Sequence, residues 1–211
     1  MCNAMKTPVE IEIINFLKKN IEPFEDNIYG KGYKAAATLK DGTLLPCVIF
    51  RNPNPILNLA IKRFKEEQTG KSVFSFTTKG IGYRKIVETF VTSGNKVNFY
   101  DIIKVEKSRF AIPKNLAEKI TGETAMSWTA FVAEFKNGEK LSFGTTWSWD
   151  FFDLPEGFEF DDVEKIYNNS YLSKNGEIIP HKSMTNFEKD IAEFQKIYRE
   201  RQSFDCFVEN L

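Results

Sequence analysis

The sequence predicts an α+β fold: a mostly antiparallel sheet of hairpins and a meander, with N-terminal, middle and C-terminal helices packed on it. Three observations predict it. A Lys-Asx-Gly corner stands twice between runs of β-type residues, in 32–44 and in 128–141. Helix-start signals occur at Thr7-Pro8-Val9-Glu10, Asn54-Pro55 and Thr185-Asn186-Phe187-Glu188. The 211 residues are 42% hydrophobic and 14% aromatic, and a compact chain of this length buries roughly 70% of its unfolded surface. One domain over 1–211 is expected, with a weak internal duplication, 7–95 and 96–211, as the alternative.

Taken in order, Thr7 is an N-cap, Pro8 suits the first helical position, and Val9, Ile13, Phe16, Leu17 and Ile21 recur at helical spacing up to Pro23. The first hairpin turns at Asp41-Gly42, where a type I′ turn places two residues at positive φ. Its second strand, 43–51, contains Pro46 and is therefore assigned to a sheet edge. A second helix starts at Asn54-Pro55, carries Ile56, Leu57, Ala60, Ile61 and Phe64 as an apolar stripe, and ends near Thr69-Gly70. Strands at 73–77, 83–91 and 96–106 read as the meander, punctuated by Gly80-Ile81-Gly82 and Ser93-Gly94-Asn95. A short helix is expected over 113–120, then the second hairpin with its corner at Asn137-Gly138, a strand running on to about Trp149, and a short helix from Asp161 to Tyr167. After a turn at Lys174-Asn175-Gly176, a last helix carries Phe187, Ile191, Phe194, Ile197 and Tyr198 on one face.

Charge and cysteine content exclude several functions. Lys plus Arg and Asp plus Glu number 29 each, so no global field draws the chain to nucleic acid or an anionic membrane. Three cysteines far apart in sequence and one histidine, His181, fit a reducing compartment and argue against a zinc site. Residues 1–6 carry no apolar run of the signal-peptide kind. The expectation is a cytoplasmic, soluble protein with no cofactor. Gly-x-Ser-x-Gly and both glycine-rich phosphate-loop patterns are absent from the sequence.

The segment 147–164 is dense in aromatics and carboxylates, with no Lys or Arg. Aromatics concentrate at the centres of protein interfaces and carboxylates steer basic partners. Trp147, Trp149, Asp150, Asp153, Glu156 and Glu159 are thus the candidate partner-binding residues, and an exposed Trp149 is required of them. The competing reading makes Phe151, Phe152, Phe158 and Phe160 core residues that pin a long loop.

Glu134-Phe135-Lys136 resembles the Glu-x-Lys of metal-dependent nucleases of the restriction-endonuclease-like type. That resemblance implies a metal ligand and a lysine on one strand face, with a further acid, Asp101 or Glu123, nearby. Here a tight Asn137-Gly138 turn follows, where that fold continues into a helix. Lys104, Lys107, Arg109 and Lys114, with Phe110 among them, form a basic group that either tracks phosphates or decorates a solvated face. His181 qualifies as a general base by residue type alone, and Cys47 reads as a small buried hydrophobe. The function expected is a protein-binding module that neutralises or adapts a partner with basic surface. The alternative is a metal-dependent phosphodiesterase or nuclease built on Glu134 and Lys136.

Overall fold

The computed structural model describes residues 7–27, 29–68, 87, 94–123, 127–181 and 194–211. Three helices and eleven strands lie among them, in mixed but mostly antiparallel sheets, so the fold is α+β. They gather into two compact units, Met1–Glu106 with Ser203–Leu211, and Lys107–Gln202. The second is therefore an insertion in the sequence of the first. No helix among the described residues is long and apolar enough to cross a membrane.

In the first unit, α1 (Pro8–Asn20) opens on a complete capping box: Glu10 N–H donates to Thr7 Oγ1 at 3.3 Å and Thr7 N–H to Glu10 Oε2 at 2.5 Å. Its buried face is Glu10, Ile13, Ile14 and Leu17, while Val9, expected inside, is exposed. Strands β1 (Pro23–Asp26), β2 (Gly30–Leu39) and β3 (Leu44–Arg51) follow, then α2 (Asn54–Gln68) and β4 (Ile102–Lys107). The chain ends on β11 (Phe204–Phe207), parallel to β3, which gives the order β1-β2-β3-β11 with β4 also on β2. Ile13, Ile14 and Leu17 of α1 share one core with Tyr33, Ala35, Ala37, Val48, Phe50 and Cys206.

Three expectations fail here for identifiable reasons. From Val48 to Arg51 strand β3 is flanked by β2 and β11, not at an edge, and only its first half, which holds Pro46, is open on the β11 side. Pro46 is tolerated because Ala35 pairs Val48 and Ala37 pairs Leu45, leaving Pro46 and Cys47 as a bulge opposite Ala36. The stripe of α2 is buried only at Ile56 and half-buried at Ala60, with Leu57, Ile61 and Phe64 exposed. The expected strand 96–106 is broken by a 3-10 turn at Phe99–Asp101, capped by Asn98. The expected strands 73–77 and 83–91 lie outside the described residues, as do Thr69-Gly70.

Both hairpin corners are type I turns closed by a left-handed glycine, not type I′. At Leu39–Thr43, Gly42 has φ +87° and donates to the Leu39 carbonyl at 2.9 Å; at Phe135–Glu139, Gly138 has φ +84° and donates to Phe135 at 2.8 Å. Asp41 and Asn137 keep negative φ and accept instead from the amides of Thr43 and Glu139. One left-handed residue, which glycine supplies without strain, is enough for this three-residue loop. Lys174-Asn175-Gly176 repeats the geometry, with Gly176 at φ +83° bonded to Ser173.

The second unit carries α3 (Lys114–Ala117), β5 (Thr129–Phe135), β6 (Lys140–Thr145), β7 (Val163–Asn168), β8 (Ser170–Leu172), β9 (Ile178–Pro180) and β10 (Ile197–Arg199). The sheet order is β10-β6-β5-β7, and β8 pairs β9. The helix expected over 113–120 shortens to α3, with Leu116 and Ile120 in the core. Residues 161–167, expected as helix, form a 3-10 turn at Phe160–Asp162 and then β7. Ala130 to Ala133 of β5 are wholly buried, so their peptide groups need partners along both edges, and β7 supplies one edge. The same demand from β6 converts the described end of the last expected helix into β10, parallel to β6. There Ile197 joins Ala130, Tyr171 and Phe194, while Tyr198 packs in the cluster of Phe131, Phe143 and Phe152. Neighbouring side chains thus serve different clusters, the strand period of two. Residues 185–193 lie outside the described set.

Candidate functional site

The segment 147–164 divides between core and surface. Phe151, Phe152 and Phe160 are buried, Phe158 is half-buried, and Phe158 meets Phe135 edge-on at 4.9 Å. Trp149 is also half-buried against this core, which overturns the expectation of an exposed Trp149. Trp147 takes that place at 86% exposure. Among the described residues of the second unit, it is the one large apolar side chain left exposed.

Strand β6 ends at Thr145, short of the expected Trp149, because its side chain closes a turn. Thr145 Oγ1 donates to the Ser148 carbonyl at 2.8 Å and accepts the amides of Trp147 and Ser148, each at 3.2 Å. Ser148 Oγ in turn donates to Asp150 Oδ2 at 2.8 Å and accepts from Asp150 N–H. Thr146 donates from its hydroxyl at 3.1 Å and its amide at 3.4 Å to Glu200 Oε1. Burial pushes the Glu200 carboxyl up, but hydrogen bonds from Arg199 and Thr146 outweigh it and hold the group below its ordinary value. The indole of Trp147 is therefore displayed by a turn whose polar groups are fixed on both sides.

A second tryptophan braces this end of the sheet. Trp128 donates from Nε1 to Tyr171 Oη at 3.1 Å, carries the Arg199 guanidinium 4.5 Å from its ring centroid, and lies over Gly144. A Cβ on Gly144 would stand 2.1 Å from the Trp128 ring. Gly144→Ala is expected to displace that ring and cost about 1–3 kcal/mol. An unchanged tryptophan emission spectrum together with an unchanged melting temperature in the variant would refute this.

The remaining candidate carboxylates are distributed unevenly. Asp153 is paired with Arg201 at 2.6 Å, and Arg201 stacks on Phe110 at 4.1 Å. Arg109, on the same ring at 5.2 Å, donates through Nη2 to the carbonyls of Leu154 and Pro155 at 3.3 and 2.6 Å. These two arginines fasten the loop, a role no spacing in the sequence signals. Glu156, Glu159, Asp161 and Glu164 are exposed. Glu159 sits where two shallow clefts meet, one of ≈ 230 Å³ beside Lys107 and Arg109, the other of ≈ 310 Å³ beside Phe158 and Lys136.

Glu134 and Lys136 are engaged separately. Tyr167 Oη donates to Glu134 at 2.5 Å and Lys140 lies 4.0 Å away, whereas Lys136 pairs Asp162 at 2.9 Å and donates to the Asp161 carbonyl at 3.1 Å. Glu123 is exposed and accepts the Ser127 amide. Asp101 belongs to the first unit, with Lys40 at 3.9 Å. Among the described residues no three His, Cys, Asp or Glu side chains gather as a metal requires. Of the basic group, Lys104 pairs Glu106 at 2.5 Å and Lys114 lies 3.9 Å from Glu118. His181 is half-buried near Tyr171, and its Nδ1 has no hydrogen-bond partner among the described residues. Cys47 is buried.

A cluster that sequence patterns do not reveal lies in the first unit. Arg51, only 5% exposed, ends the apolar strand β3 with its guanidinium 4.3 Å from the Tyr29 ring centroid and 5.2 Å from that of Phe24. Asp205 and Asp26 approach it at 3.5 and 3.7 Å, distances at which Nε and Nη1 reach no full hydrogen bond among the described residues. Burial raises the Asp205 carboxyl, against the pull of Arg51, and burial with the Asp205 charge lifts Tyr29 to about 12. Compared with protein-family models, curated proteins and solved structures, the chain matches none.

Proposed function

We propose that this chain is a cytoplasmic protein-binding module that docks a partner with basic surface through Trp147 and the acidic loop beside it. The observation that carries the reading is the 86% exposure of Trp147 on a turn held by Thr145, Ser148 and Glu200. Tryptophan is the residue most enriched among interface hot spots, and a turn already ordered loses little entropy on binding. Charge selects the partner: 147–164 contains no Lys or Arg, and Glu156, Glu159, Asp161 and Glu164 are exposed. Carboxylates so placed accelerate encounter with a basic surface and repel an acidic one.

The test is capture from native extract on wild-type protein beside Trp147→Ala and a Glu156→Lys, Glu159→Lys double variant, followed by titration with the purified captured protein. Both changes fall on exposed side chains, so the fold should survive, which circular dichroism checks. The expected result is a partner that Trp147→Ala binds about 30-fold more weakly, the equivalent of 2 kcal/mol. The double variant should mainly slow association and flatten its salt dependence. Equal affinity of wild type and Trp147→Ala, or no partner held by the wild type, overturns the reading.

A further inference from the structure

We draw no further inference here: the strongest candidate, the exposed apolar stripe of Leu57, Ile61 and Phe64 along α2 in the first unit, carries nothing because nothing in the structure shows what covers it.

Discussion

Truncation of Phe143 to alanine is expected to destabilise the second unit by about 3–5 kcal/mol, the range for a phenylalanine removed from a close-packed interior. Phe143 is fully buried at the meeting point of four rings. Phe131 stacks on it at 5.2 Å, Phe152 meets it edge-on at 5.7 Å, and Phe160 and Tyr198 tilt against it at 5.7 and 5.8 Å. These neighbours come from β5, from two positions of the 147–164 loop and from β10. No single one can collapse into the vacated space without losing its other contacts, so the cost of the cavity should be near its maximum. Urea unfolding followed by tryptophan emission measures it cleanly, since Trp128, Trp147 and Trp149 all fall within this unit. Should the alanine variant not fold, Phe143→Leu provides the same test with about half the loss. A shift below about 1 kcal/mol for the alanine variant would mean that the ring cluster relaxes and does not hold the loop.

Replacing Arg51 by alanine should cost the first unit a similar amount, about 3–5 kcal/mol, by a different mechanism. Asp205 and Asp26 would both lose the guanidinium that approaches them beside β3. The rings of Phe24 and Tyr29 would also lose the cation they flank. The comparison that isolates charge is Arg51→Met alone against Arg51→Met with Asp205→Asn. The double variant should recover much of the loss, because a buried pair replaced on both sides is often nearly neutral. Amide hydrogen exchange along β3 and β11 is the measurement, since it reads the strands that Arg51 and Asp205 join.

The pH dependence has a definite sign. Asp205 sits above its ordinary value in the folded protein, so folding takes up a proton there. Its contribution is complete below the ordinary aspartate value of about 3.9 and is lost as pH rises through the raised native value. Without Arg51 that native value rises further, so the deficit of the variant should be largest near neutrality and shrink as the solution is acidified. Glu200 behaves oppositely: its depressed value contributes stability above the ordinary glutamate range that is lost on acidification. A deficit in Arg51→Ala that ignores pH would assign the loss to packing instead of charge.

Legibility of the candidate site followed the same division as that of the fold. Composition alone picked out 147–164, and the absence of Lys and Arg there is a fact of sequence. Choosing between Trp147 and Trp149 required knowing that Thr145 ends β6 with a side-chain turn, which places one indole in water and the other on Phe-rich core. Arg51 offered no signal, because a charged residue after an apolar strand usually reaches solvent, and its burial needs the rings of Phe24 and Tyr29 together with β11, more than 150 residues later in the chain.

The features that sequence by itself determined are those made by residues within a few positions of each other. Thr7 and Glu10 cap one another across one helical turn, and each Lys-Asx-Gly corner is closed by its own amides and its own glycine. The features that only tertiary structure decided depend on groups far away in the chain. Residues 163–168 are a strand because buried β5 lacks a partner on that side, and 197–199 are a strand because β6 does. Pro46 sits inside a sheet because β11 bonds only the half of β3 beyond the bulge. In each case the local preference is worth a few tenths of a kcal/mol per residue, roughly, against one or more for each buried peptide group left unpaired. The unpaired peptide group costs more, so the neighbouring strand decides the conformation.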